Sequence, residues 1–469
     1  MGNFVRDDLA ARPAESLALI VLAADGTRTE WTFGELVSAS SGAAAQLASH
    51  GVGQGDVVLC LVGNGIDYVL LLLACQHLGA VLLPCSEQLR SKDIALRVER
   101  ARPTLIVSDP RNRAELEGRT VLWTPLSQTG DAPPFAEVGE IDPAFILFTS
   151  GTSGEPKMVT HAQRYVSGQR LQATHWMAAE AGELVWSTAA PGWSKSTRNG
   201  FLAPWFCDAV ALLLDARFDP AERLAVIRRE QVNVLCMAPT EYRLIAAAGA
   251  IGALPSVRRL ITAGEALGAP TVDAWASQTG LIIADGYGQT ETAHIAGVRP
   301  GETAPAGSMG RPLPGVSVEI RDGELVVDPS TVPTFFLGYD GSPAPSGWWR
   351  TGDQVRQDAD GWLYFEARVD DVIVSAGYRI GPAEVESTLL GHPAVRECAV
   401  IGAPDEVRGE IVVAVVALRD GFEASDDLVR ELQEFVKAET APYKYPRQIR
   451  FVDALPKTTS GKVHRSALR

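Results

Sequence analysis

Residues 148 to 157 read F-T-S-G-T-S-G-E-P-K. Four hydroxyl side chains, Thr149, Ser150, Thr152 and Ser153, stand around Gly151 and Gly154, and Lys157 closes the string. Glycines let successive backbone N–H groups turn toward one point, which makes an anion nest. The hydroxyls add donors and the lysine adds charge, so this loop suits a polyphosphate. It is not the Walker pattern, which needs four residues between its first glycine and Gly-Lys-Ser/Thr. The plainer alternative is a solvated Ser/Gly turn.

Four further strings carry chemistry. Asp285 to Glu291 reads D-G-Y-G-Q-T-E, just after an apolar run, Leu281–Ala284, that reads as a strand. Ligands of open α/β sheets bind beyond the carboxyl ends of strands. There a tyrosine can stack on a purine, and a Thr-Glu pair can meet a phosphate and its Mg²⁺, which prefers oxygen ligands. Gly264–Glu265 follows the run Arg259–Thr262 in the same way. Trp349 to Asp353, W-R-T-G-D, offers a carboxylate in a turn that can take both hydroxyls of a ribose. Pro456 to Lys462, P-K-T-T-S-G-K, puts a lysine beside a glycine on a loop near the end of the chain, able to reach a site on another domain. Taken singly, each string also reads as an ordinary turn, and Lys462 as a solvated lysine.

These strings need a scaffold, and the chain predicts one. Its 469 residues call for two or more domains, and 46% hydrophobic content is ample for large cores. The net charge of −15 argues against a nucleic-acid partner. The six cysteines are scattered without any C-x-x-C, which predicts reduced core thiols in a cytoplasmic protein rather than a zinc site. The opening M-G-N-F-V-R-D-D reads neither as a signal segment nor as a myristoylation site, and the greasy stretch Tyr68–Pro84 is too interrupted to span a membrane. A buried helix running into a strand is expected there.

Strand-like and helix-like segments alternate through the first two-thirds. Leu17–Ala23, Val57–Val62, Ala80–Leu83, Val232–Met237 and Arg259–Thr262 read as strands. Thr32 with Glu35 forms a capping box for a helix to about Ser49. The alternation predicts an α/β domain with mostly parallel sheets. After about Ala304 short alternating runs among Gly and Pro predict a small antiparallel region. The last hundred residues read as a compact α+β unit, with helices Pro382–Leu390 and Asp426–Glu439. From Thr440 to Arg469 seven Lys/Arg face one acid, Asp453: a local positive patch suited to a phosphorylated nucleotide, or a solvated basic tail.

In order and spacing these strings resemble the adenylate-forming superfamily of acyl-CoA synthetases, adenylation domains and luciferases. The stretches S-A-G-Y-R-I-G-P-A-E-V-E-S (375–387), H-P-A-V (392–395), P-D-E-V-R-G-E (404–410), T-A-P-Y-K-Y-P-R (440–447) and P-G-W-S-K-S (191–196) look most like medium-chain AMP-forming acyl-CoA synthetases. The fold that the resemblance implies is α/β. A large domain, residues 1–369, has two mostly parallel sheets packed by helices and a small distorted β-barrel. A small mobile α+β domain, residues 370–469, carries the catalytic lysine.

The implied reaction has two steps. A carboxylate attacks the α-phosphate of ATP, giving acyl-adenylate and pyrophosphate; CoA then gives acyl-CoA and AMP. By the same resemblance Lys462 bridges the two anions, Thr290 holds phosphate and Glu291 ligates Mg²⁺. Thr149, Ser150, Gly151, Thr152, Ser153, Gly154 and Lys157 grip the phosphates. Asp353 and Arg368 match ribose positions, and Gly264, Glu265, Asp285, Gly286 and Tyr287 match the adenine walls. Trp193 and Gly288 match the acyl pocket, Asp370 the hinge, and Gly377, Tyr378, Arg379, Arg408, Lys437 and Tyr445 the CoA contacts.

Some residues depart from the resemblance. Ala367 precedes the hinge-motif arginine, Ala376 precedes Gly377, and A-P-G-W, with Ala190 and Pro191, replaces the usual D-T-G-W. Glu291 is followed by T-A-H, which puts His294 either in a changed acyl pocket or on the surface. Loops near 302–308 and 327–338 are trimmed, and a nonstandard acid such as an aromatic or polycyclic carboxylate fits that. Loading of an acyl carrier protein is the alternative second step, and a nucleotide-binding relative without activity is a third reading. The partners implied are a small carboxylic acid, ATP and CoA, with no nucleic acid or membrane; a homodimer is compatible with the sequence.

Overall fold

The computed structural model describes residues 2–149, 156–249, 251–265, 267–376, 378–457 and 463–469. Two large sheets form its N-terminal part. One has nine strands, six of them parallel neighbours: Leu17–Leu22, Val210–Leu214, Leu184–Ser187, Val234–Cys236, Arg259–Ala263 and Ile283–Gln289. Antiparallel strands close its two edges. The other has eight strands, built around the parallel set Val121–Trp123, Leu105–Ser108, Val57–Leu61, Val81–Pro84 and Pro143–Thr149.

The helix Ile66–Leu78 shows why the two sheets hold together. Every side chain from Tyr68 to Leu78 is buried. A helix apolar on all faces needs packing all round, and here it joins one core with Leu19, Ala211 and Leu213 of one sheet and Val58, Leu82 and Phe145 of the other. It stops at Gly79, whose left-handed φ of 66° lets its N–H return to the last turn and redirects the chain into Val81–Pro84. The greasy stretch is thus a core helix running into a strand. Among the described residues no helix is long and apolar enough to cross a membrane.

The small region after residue 304 contains a four-stranded antiparallel sheet, Val318–Arg321, Glu324–Val327, Trp349–Gln357 and Leu363–Arg368. The C-terminal unit has five strands with helices Pro382–Leu390 and Asp426–Glu439. Its core, from Ile373 to Val436, forms a cluster of its own. All six cysteines are free, and five are buried.

Two placements differ from the expectations. Asp285 to Gln289 does not follow its strand but continues it, hydrogen-bonded between Arg259–Ala263 and Ala293–Gly297. Glycines 286 and 288 look turn-like in isolation, yet two neighbouring strands hold the segment extended. Asp353 likewise lies inside the nine-residue strand Trp349–Gln357, not in a turn. The turn-like signal came from Gly352, which takes φ 70° within that strand.

Candidate active site

Three motifs distant in sequence meet at Asp353, a residue only 4% exposed. Arg368 donates from Nη1 to Oδ1 at 2.8 Å. Tyr287 donates its hydroxyl to Oδ2 at 2.5 Å, and the Gln289 amide donates to the same oxygen at 2.7 Å. The strands explain the meeting. Asp353 and Arg368 are directly paired across an antiparallel ladder, while Tyr287 and Gln289, two apart, share one face of their strand. Burial, followed by the Asp353 charge, pushes the Tyr287 phenol well above its usual range, so it stays a donor. A carboxylate with three donors in place is held in a single orientation, with lone-pair capacity left for hydroxyls.

A second ridge joins the hydroxyl-rich loop to the T-E pair. Thr149 and Lys157 are paired in register at the base of the loop, whose residues Ser150, Gly151, Thr152, Ser153 and Gly154 lie outside the described residues. The Lys157 strand pairs with Gly338–Tyr339. Lys157 Nζ lies 5.1 Å from the centre of the Tyr339 ring, and the Tyr339 hydroxyl donates to Glu291 Oε1 at 2.6 Å. Thr290 and Glu291 form the turn after Gln289, and the Glu291 carbonyl is fixed by the Phe336 N–H. Among the described residues no cluster of three or more His, Cys, Asp or Glu could hold a metal. A single oriented carboxylate still fits Mg²⁺, which takes one or two carboxylates and completes its shell with water and phosphate oxygens.

The strand-end residues 264 and 265 also come to this side. Gly264 has φ 103°, and a β-carbon there would sit 2.9 Å from Lys195 Nζ. Lys195 in turn donates to the Ala263 carbonyl at 2.8 Å. Glu265 accepts from Thr240 at 2.8 Å and from Arg243 at 3.1 Å. Desolvation pushes the Asp285 carboxyl up to about 8, against the opposing pull of the Gly286 N–H and Lys195. Gly286 packs so closely on His294 that a β-carbon would come within 2.3 Å of its ring. Gly288 faces the Ala293 carbonyl at a distance no β-carbon allows. Trp193 opens the short helix Ser194–Thr197 that carries Lys195. A cavity of about 30 Å³ lies among Ser187, Lys195, Cys236, Met237 and Ala263. A wider surface cleft of about 460 Å³, around Trp31 and Gln128, contains none of the motif residues.

The C-terminal unit approaches this site at Lys457. Lys462 itself lies outside the described residues. Lys457, five residues earlier, interacts electrostatically with Arg243 and Glu265, and it pairs with Val463 as an antiparallel bridge. Burial lowers its pKa, Arg243 adds to that, and Glu265 opposes it. Asp370 sits in the turn Val369–Asp371, where the Arg469 guanidinium binds the Asp371 carboxylate at 2.7 Å.

The residues matched to CoA fall into separate places. Lys437 and Arg447 both lie over the Tyr445 ring, at 4.3 and 4.9 Å. Tyr378 stacks on Tyr443 at 4.2 Å. Arg408 lies in the hairpin turn after Asp405, and its carbonyl accepts from Ala376. Gly377 and the side chain of Arg379 lie outside the described residues. The positive patch counted from the sequence is largely neutralised by the unit's own acids. Lys444 pairs with Glu384, Lys457 with Glu397, Arg465 with Glu386 and Arg469 with Asp371. Their partners lie far away in sequence, so local counting missed them.

Lys195, Gln289 and Tyr339 were not singled out beforehand. Lys195 and Gln289 sit inside the motif strings, two residues from Trp193 and one from Gly288. Tyr339 had no signal, since its strand is two residues long. His294 is settled as buried, 2% exposed, rather than on the surface.

Comparison with known proteins shows the family. The AMP-binding enzyme family matches residues 6–333, and the AMP-binding enzyme C-terminal domain matches residues 384–462. An uncharacterized acyl-CoA ligase, YtcI of Bacillus subtilis (strain 168), is 36% identical over 95% of this chain and 91% of its own length. The mitochondrial acyl-coenzyme A synthetase ACSM5 of Mus musculus is 36% identical over 95% of this chain and 85% of its own. The anthranilate CoA ligase AuaEII, solved in complex with anthranoyl-AMP, superposes with a TM-score of 0.89 at 27% identity, covering 99% of this chain and 96% of that one. The chain belongs to the AMP-binding enzyme family.

Proposed function

We propose that this protein is an AMP-forming acid–CoA ligase. A carboxylic acid attacks the α-phosphate of ATP to give an acyl-adenylate and pyrophosphate. The CoA thiol then displaces AMP and leaves the acyl thioester. The observation that carries the reading is the convergence of Tyr287, Gln289 and Arg368 on the buried Asp353 carboxylate. That is how a rigid acceptor for the two ribose hydroxyls is built.

The first step joins two anions, so it needs placement and charge screening more than covalent chemistry. Asp353 and Arg368 hold the ribose. Gly264, Glu265, Asp285, Gly286 and Tyr287 border the adenine. The loop from Thr149 to Lys157 takes the outer phosphates, with Thr290 beside them. Glu291, oriented by Tyr339, would hold Mg²⁺, which screens phosphate charge when bound. Lys462 bridges the carboxylate and the α-phosphate, and the electrostatic influence of Arg243 and Glu265 on Lys457 supports that direction of approach. Trp193 and Gly288 border the acyl group.

Residues 1–369 act as the nucleotide- and acid-binding domain, and residues 370–469 as the moving one. Turning about Asp370 withdraws Lys462 and brings in the CoA residues Gly377, Tyr378, Arg379, Arg408, Lys437 and Tyr445. Asp370→Pro is expected to block the thioester step in single-turnover assays while sparing adenylation; normal acyl-CoA output would remove Asp370 as the hinge. A cytoplasmic location, which the free thiols fit, and a homodimer are part of this reading. Incubation with ATP and acid, with either CoA or a carrier protein as acceptor, tests it. Thioester on CoA supports the ligase; thioester on carrier protein alone turns the reading to carrier loading.

A further inference from the structure

We propose that the acid activated by this protein carries a second carboxylate, and that Arg198, with His294 and Gln172, receives it in the acyl-binding region. This rests on the ligase reading and names its substrate class.

Arg198 follows Lys195 by three residues and is 3% exposed. Its one hydrogen bond runs from Nη1 to the Gln172 amide oxygen at 2.8 Å. Its Nε has no partner, and no carboxylate lies within ion-pair range of it among the described residues. Beside it, Gln172 Nε2 and both ring nitrogens of His294 are buried without partners. The His294 ring lies on Trp176 at 3.9 Å. The Arg198 charge acts on His294, His161, Tyr165 and Cys236 alike, which places all of them around one guanidinium.

The cluster belongs to the reacting end of the fold. His294 packs against Gly286, the neighbour of Tyr287. The Asn199 amide reaches Cys236 Sγ at 3.6 Å, and Cys236 lines the cavity that Lys195 and Ala263 also line.

A buried cation without an anion is costly, and an orphaned buried donor adds to that cost. An alkyl or plain aromatic acyl group leaves both unrelieved. A hydroxyl or ketone would accept hydrogen bonds but bring no charge. A carboxylate supplies both, and its two oxygens match the guanidinium fork. Gln172 Nε2 supplies a further donor, and so does His294 in whichever tautomer places an N–H toward the oxygen.

The test is kcat/KM for matched acids by pyrophosphate release: butanoate and succinate, hexanoate and adipate, benzoate and isophthalate. At least one diacid is expected to exceed its monoacid by about a hundred-fold or more. Arg198→Met should collapse that ratio, and Arg198→Lys should keep part of it. Monoacids preferred throughout, or an unchanged ratio in folded Arg198→Met, would overturn the proposal. Circular dichroism checks folding; if Arg198→Met does not fold, Gln172→Leu is read instead, with a several-fold fall in the ratio expected and no fall counting against. If no acid is turned over, the ligase reading fails on its own, and thermal shift with each acid pair decides the pocket. A larger shift with a diacid supports the proposal, and equal shifts refute it.

Discussion

Asp353 and Arg198 are two buried charges treated in opposite ways. Asp353 has a guanidinium, a phenol and an amide donating to its two oxygens. Arg198 has one neutral acceptor and an orphaned Nε. A saturated charge is a fixed tool, ready for a ligand part that never changes, which in the proposed function is the ribose of ATP. An unsaturated one leaves part of its solvation to the ligand, which suits the variable partner, the acid. On the proposed reading, two regions of one site divide constancy and selectivity between them.

The largest expected effect lies outside both regions. If Asp353 only holds the nucleotide, chemistry must come from elsewhere, and Lys462→Ala should cut adenylation by about a hundred- to a thousand-fold or more. Thioester formation from preformed acyl-adenylate should survive. Rapid-quench measurement of the two half-reactions checks this, and an equal fall in both would break the division of labour. Next, Asp353→Ala strands three donors, among them the half-buried Arg368 guanidinium. A loss of about 1–3 kcal/mol in denaturant unfolding is expected, since the buried Tyr287 hydroxyl and Gln289 amide lose their shared acceptor. Arg198→Met should go the other way, gaining about 1–3 kcal/mol by the same measurement, because an unpaired buried charge leaves the core. If both variants lose stability equally, the contrast between the two regions is wrong.

The smallest effect is a pH dependence. Desolvation pushes the Asp285 carboxyl up to about 8, above the ordinary value of about 3.9. The folded state therefore holds this proton more tightly than the unfolded chain. The stability it contributes is complete below about pH 4 and is lost as pH rises toward 8. Asp285→Asn should flatten that decline in a melting-temperature series from pH 4 to 8.5. An unchanged slope would place the carboxyl in a more solvated setting.

Much of this was legible in the residues. Helices Ile66–Leu78, Pro382–Leu390 and Asp426–Glu439 end where their sequence signals place them. The capping box of Thr32 and Glu35 forms as read, and Gly79 closes its helix in the left-handed region. The strings around Tyr287, Asp353 and Arg368 do converge. What stayed hidden depends on tertiary pairing. Glycines 286 and 288 disguise a strand whose neighbours come from elsewhere in the chain. The basic tail looked like a patch because Glu384, Glu386 and Glu397, which neutralise much of it, lie in earlier elements of the same unit. Arg198 gave no signal as a site residue, because only burial turns an arginine into an unpaired charge.

The most direct test of the central claim is a product balance. The protein is incubated with ATP, Mg²⁺ and a panel of mono- and dicarboxylic acids, with and without CoA, and AMP, ADP, pyrophosphate and thioester are quantified by mass spectrometry. The account predicts acid-dependent pyrophosphate exchange without CoA, and equal amounts of AMP and acyl-CoA with it. Production of ADP, or AMP release with no thioester on CoA for any acid, would contradict it.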